Sequence, residues 1–144
     1  MRRLAAVALL ASLSAAGARA ADNPPHWQIV AGGLSFMPDE SDFSLMDLEC
    51  ADGRVVVSVP APDKPGAVVF GSVEVNAGAV ARRYPAKVLR DESGTWLQFR
   101  AAPRDPAMLA FRVTGRISVN GEADLAARTD GERAAITRFF SACR

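Results

Sequence analysis

Apolar and polar positions recur along this chain with two periods, and the clearest run of the longer one lies near its end. Between Thr129 and Arg144 the residues Ile136, Phe139, Phe140 and Cys143 fall at i, i+3, i+4 and i+7, which is one face of a helix. Thr129 and Glu132 stand at capping-box spacing just ahead of it, so the start of the helix is signalled as well. An apolar face of that width needs a core to cover it. The helix is therefore expected to dock on the rest of the chain.

Period two governs what comes before. Residues 27–30 and 34–37 read as short strands broken by Gly32-Gly33, and 38–42 as an acidic loop. Residues 43–50 and 55–60 flank Asp52-Gly53, the favoured pair for a two-residue hairpin turn. That turn sets Cys50 opposite Val55, Leu48 opposite Val57 and Met46 opposite Val59. All six then share one apolar face, while Asp47, Glu49 and Ser58 take the other.

The next stretch, 61–66, is a loop by composition. Residues 67–75 alternate as a strand with Val69, Gly71, Val73 and Val75 on one face, and Asn76-Ala77-Gly78 turns. In 80–89, Arg82, Tyr84, Val88 and Arg90 fall on one side, with Arg83, Lys87 and Leu89 on the other. Pro85 within that run predicts an edge strand or a bulge. After a turn at 91–94, residues 95–101 form a strand with Leu97 and Phe99 inward and Trp96, Gln98 and Arg100 on the opposite face.

Asp105-Pro106 opens a short helix over 107–113, with Asp as cap and Pro at the first position. Met108, Leu109 and Phe111 are its expected buried residues, and Gly115 ends it. Ile117 and Val119 then form a strand. A three-residue loop at 120–122 pairs Val119 with Ala123 and Ile117 with Leu125, keeping one apolar face. The sum is seven or eight short strands, a short helix and the terminal helix. The expected class is α+β, mainly β: an antiparallel sheet or small sandwich with the C-terminal helix packed on it.

Composition then places the chain. Residues 1–20 have the form of a signal peptide: Arg2 and Arg3, an uncharged run over 4–18, and the small-x-small site Ala18-Arg19-Ala20. The run is too short and too rich in alanine for a good membrane anchor, and no second apolar run has spanning length. The expected mature product is a single domain over 21–144, in the periplasm or secreted. Without Arg2, Arg3 and Arg19 its net charge is slightly negative, with no long run of one sign, which argues against nucleic acid as a partner. An exported chain with two cysteines should pair them, so Cys50 and Cys143 are expected to form a disulfide that staples the helix to the hairpin.

Few residues offer chemistry. A Ser-His-acid triad needs a histidine in the body of the fold, and the single histidine, His26, lies in the N-terminal stretch beside Pro25. Two cysteines and that histidine cannot complete a four-ligand zinc site, and the acidic cluster Asp39, Glu40 and Asp42 lacks the glycine and distal glutamate of a calcium loop. Glu49, Glu74, Glu92 and Glu122, the candidates for a glycosidase-type carboxylate pair, fall at turn or outer-face positions. No phosphate-cradling glycine loop is present, so no cofactor and no metal are expected. One binding surface is predicted. Arg82, Tyr84 and Arg90, with Trp96 and Arg100 on the next strand, would form a cationic–aromatic patch suited to a protein or an anionic envelope component.

The order of these elements has a distinctive ending. The hairpin strand closing in Leu48-Glu49-Cys50, the late short helix, and Ile136-x-x-Phe139-x-x-x-Cys143 resemble a diffuse group of small exported proteobacterial proteins of unassigned function. The pattern is more distantly similar to the periplasmic accessory proteins associated with type VI secretion. That resemblance implies a non-enzymatic binding or accessory module of the bacterial envelope. The alternatives are an inhibitor of a cell-wall enzyme such as lysozyme, acting through a loop at 60–66, and a carboxylate-dependent wall hydrolase.

Overall fold

The computed structural model describes residues 23–61 and 71–144. The expected signal segment, most of the loop at 61–66, and the start of the strand expected at 67–75 lie outside those residues. The described elements are β1 (His26–Val30), β2 (Gly33–Met37), β3 (Met46–Ala51), β4 (Arg54–Pro60), β5 (Ser72–Ala77), β6 (Val80–Asp91), β7 (Gly94–Ala101), α1 (Pro106–Thr114), β8 (Arg116–Val119), β9 (Leu125–Ala126) and α2 (Asp130–Ala142).

All strand pairs are antiparallel, and the order across the sheet is β1-β2-β3-β4-β7-β6-β5-β8-β9. The β3–β4 hairpin has the expected register, with Cys50 opposite Val55 and Leu48 opposite Val57. Its turn residues, Asp52 and Gly53, both have positive φ, 52° and 68°, as a type I′ turn requires. Ile117 opposes Leu125, also as expected.

Pro85 marks a change of partner rather than an edge. Residues 80–85 of β6 pair with β5, and residues 86–91 pair with β7. A residue without an N–H is tolerated where one ladder stops and another begins. This change of neighbour turns a nine-stranded sheet into a nearly closed one, whose inner face is the core.

The helices fill what the sheet leaves open. α1 packs on β5, β6 and β8, α2 packs on β1 and β2, and the two helices touch. Asp105 caps α1 by accepting from Ala107 N–H at 3.0 Å, and Gly115 ends it in the left-handed region. A side chain at Gly115 would meet Ala127 Cβ at 2.9 Å, so the site is closed sterically as well as conformationally. Ala107, Met108 and Phe111 form the buried face of α1. Leu109, expected inside, is 42% exposed. It falls on the far side of a nine-residue helix whose inner face those three already occupy.

α2 buries Ile136, Phe139 and Phe140 as the period predicts. Phe140 meets Phe111 edge-on at 5.9 Å, and Trp27 packs against both Phe36 and Phe111 at 5.0 Å, so sheet and helices share one aromatic cluster. Cys143 is bonded to Cys50 across 93 positions, with Cα atoms 5.4 Å apart. The chain-entropy picture assigns a closure of that length about 4–5 kcal/mol.

Candidate functional site

The five residues expected to share a surface are divided by the register. Leu89 of β6 opposes Trp96 of β7, and Val88 opposes Leu97. Even-numbered residues of β6 therefore share the inner face with odd-numbered residues of β7. Arg82, Tyr84 and Arg90 have inner parity, whereas Trp96 and Arg100 lie on the outer face, so one cationic–aromatic patch is not assembled from these five.

Tyr84 in particular belongs to the core. It is 7% exposed and stacks on Phe99 at 5.1 Å. Its hydroxyl donates to Asp105, the same carboxylate that caps α1. Burial, and then the bond to the Asp105 carboxylate, push the Tyr84 phenol well above its ordinary value. Arg82 and Arg90 are exposed. Arg100 reaches Asp52 of the hairpin turn at 3.8 Å, and the Trp96 indole N–H donates to Ser93 at 3.0 Å.

Register also assembles a row that the sequence alone did not reveal. On the outer face Gln28, Ser35, Asp47, Ser58, Gln98 and Lys87 stand opposite one another in turn across β1, β2, β3, β4, β7 and β6. Ser35 donates to Asp47 at 2.6 Å, Ser44 donates to its other oxygen, and Gln98 donates to Ser58 at 3.3 Å. Beside this polar row runs an apolar one, in which Pro60 and Leu89 flank Trp96. Each residue is unremarkable within its own strand, and only the pairing brings them into line.

Pro60 of that row also borders a cavity of about 380 Å³, lined mainly by inner-face residues. Leu45, Met46, Val59, Pro60, Leu97, Val119 and Leu125 provide most of its wall, and Asn120 and Glu122 are the polar groups at its edge. Phe43, 54% exposed, and Leu45, 36% exposed, lie just ahead of β3. Cavities of this size and composition hold small apolar molecules or the apolar part of a larger one. Of the apolar β4 residues only Val59 and Pro60 reach the cavity wall, and a strand pattern does not say where the packing stops.

Among the described residues no three His, Cys, Asp or Glu side chains gather as a metal site. Asp39 of the acidic loop pairs with His26 at 3.2 Å. Glu49, Glu74, Glu92 and Glu122 are all exposed, and Glu74 pairs with Arg83 at 3.9 Å. Among the described residues, Glu122 is the only carboxylate in the cavity wall.

The fold defines a class by geometry: a disulfide-closed, mainly β domain whose nearly closed antiparallel sheet is packed by two helices and, among the described residues, borders one mainly apolar cavity. No protein-family model, curated protein or solved structure matches the chain.

Proposed function

We propose that this chain is a non-enzymatic binding module of the bacterial envelope, which holds an apolar group of its partner in this cavity. The observation that carries the reading is the 380 Å³ cavity, whose mainly apolar wall includes the part-exposed Leu45. Burying an apolar group there removes both the ligand surface and the wall from water, at about 25 cal/mol per Å². Asn120 and Glu122 at the edge supply hydrogen bonds to a polar end of the same ligand.

One observation supports the envelope as the location. The Cys50–Cys143 disulfide fits an oxidising compartment. Among the described residues no helix is long and apolar enough to cross a membrane. The signal segment at 1–20 would deliver the chain there, and an accessory role alongside other envelope proteins agrees with the resemblance noted above.

The test is titration of the mature protein with a fluorescent fatty acid and with an apolar peptide, each repeated with a Val59→Trp variant. The bulkier ring fills the cavity from its wall. Saturable binding that the variant loses, with its melting temperature retained, supports the reading. Binding that survives the filled cavity, or no binding of either probe, overturns it.

A further inference from the structure

Three arginines gather at the outer junction of the two helices. Arg104, Arg112 and Arg144 line a groove of about 390 Å³, together with Pro103, Leu109, Phe140 and Ser141. Ser141 holds two of them. Its hydroxyl accepts from Arg112 Nη2 at 3.3 Å, and its carbonyl accepts from Arg144 Nε at 3.1 Å. Two guanidinium groups are thus tethered to one residue, and the third borders the same groove. The arginine ion pairs among the described residues engage Arg83, Arg100 and Arg116, and none of the three groove arginines.

Arg144 has a structural reason to be there. The carbonyls of the last turn of α2 lack helical partners and form the negative end of its dipole, so a cation at that end is favourable. Arg112, in the last turn of α1, is favoured at its own helix end in the same way, but Arg104 is not, and it adds like charge to the groove. Like charges held together without a carboxylate between them repel. The arrangement becomes favourable when an anion sits in the groove.

We propose that this groove binds a phosphate monoester. Each guanidinium presents a planar fork of donors matched to phosphate oxygens, and three such forks suit a phosphate dianion better than a single carboxylate. Arg144 already offsets the helix carbonyls that would otherwise repel the anion. Pro103 and the half-exposed Leu109 give the organic part of the ester an apolar wall. The site stands apart from the apolar cavity, with which it shares no lining residue. The monoester can be a soluble molecule or a lipid headgroup, and the experiment separates the two.

Mature protein is titrated with glycerol 3-phosphate by calorimetry and, in parallel, sedimented with vesicles containing phosphatidic acid or, as a phosphodiester control, phosphatidylglycerol. Arg104→Ala, Arg112→Ala and the conservative Arg112→Lys are compared, with melting temperatures showing that all remain folded. Saturable binding of glycerol 3-phosphate, weakened about tenfold or more by either alanine variant and partly retained by the lysine variant, supports the proposal with a soluble ester as ligand. Binding confined to phosphatidic acid vesicles, with the same loss in the variants, supports it with a headgroup as ligand. Equal binding to phosphatidylglycerol, binding indifferent to the substitutions, or no binding in either arm overturns it.

Discussion

The Glu132 carboxylate accepts the backbone N–H of Trp27 at 3.2 Å, joining positions 105 apart in the chain. The same side chain accepts from Thr129 N–H at 2.8 Å and from Arg128 N–H, while the Thr129 hydroxyl accepts from Glu132 N–H in return. A capping box is usually a local device. Here its acid is buried, and it also ties the first strand to the segment between β9 and α2. Arg128 adds a second tie by donating to the Pro25 carbonyl.

Removing that carboxylate should therefore cost more than an ordinary helix cap. Glu132→Ala leaves three backbone donors without their acceptor and is expected to lower stability by about 2–4 kcal/mol, measured by urea unfolding. Thr129→Ala, which removes only the local half of the box, should cost about 1 kcal/mol. Equal losses from the two would show that the tie to Trp27 contributes nothing.

The same residue sets a response to acid. Burial disfavours the charged form of Glu132, but the N–H groups of Arg128, Thr129 and Trp27 and the nearby Arg128 charge outweigh it, so its carboxyl is held below the ordinary 4.5. A depressed folded value means that the stabilisation is complete above the unfolded value and is lost as pH falls through the folded one. Urea midpoints should fall below about pH 4.5 in the native protein. In Glu132→Gln that part of the fall should be missing.

Tyr84 gives the opposite sign at the alkaline end. Its folded value is raised above the ordinary 10.0, so its contribution is intact below pH 10 and is lost as pH rises through the folded value. Absorbance titration at alkaline pH should show this single tyrosine ionising together with unfolding. Tyr84→Phe should cost about 1–3 kcal/mol through the lost bond to Asp105. It should leave any ligand binding unchanged, because the ring lies in the core.

The disulfide and the aromatic face of α2 can be separated. Cys143→Ser should lower stability by about 2–4 kcal/mol, and reduction of the native protein should lower its melting temperature likewise. Phe139→Ala, at a position 3% exposed, should cost about 3–5 kcal/mol even with the disulfide intact. A near-neutral Phe139→Ala would mean that the bond alone holds the helix in place.

What the sequence made legible was local. The Asp52-Gly53 turn fixed the register of β3 on β4, and Asp105, Gly115 and the Thr129–Glu132 pair marked helix ends because each acts on backbone within a few residues. The Cys50–Cys143 bond followed from there being just two cysteines. Alternation assigns parity within a strand but not the strand beside it. The pairing of β4 with β7, the change of partner at Pro85 and the split between Tyr84 and Trp96 all depend on register between distant segments. Tyr84 read as a surface residue because its sequence neighbours are arginines, whereas its neighbours in space are Phe99 and Asp105.

The bond between Trp27 and Glu132 also bears on when the protein can fold. β1 meets its helix only through residues more than a hundred positions later, and the cysteine of β3 meets its partner 93 positions on. While the chain is being made, its early strands have hairpin partners but no α2 to cover them. Contacts of such long range slow folding, since the intervening chain must close before they form. A newly made chain therefore stays open, and lacks its covalent closure, until residues 130–143 exist. In this architecture the covering helix and the second half of the covalent bond are the last parts of the chain to be made.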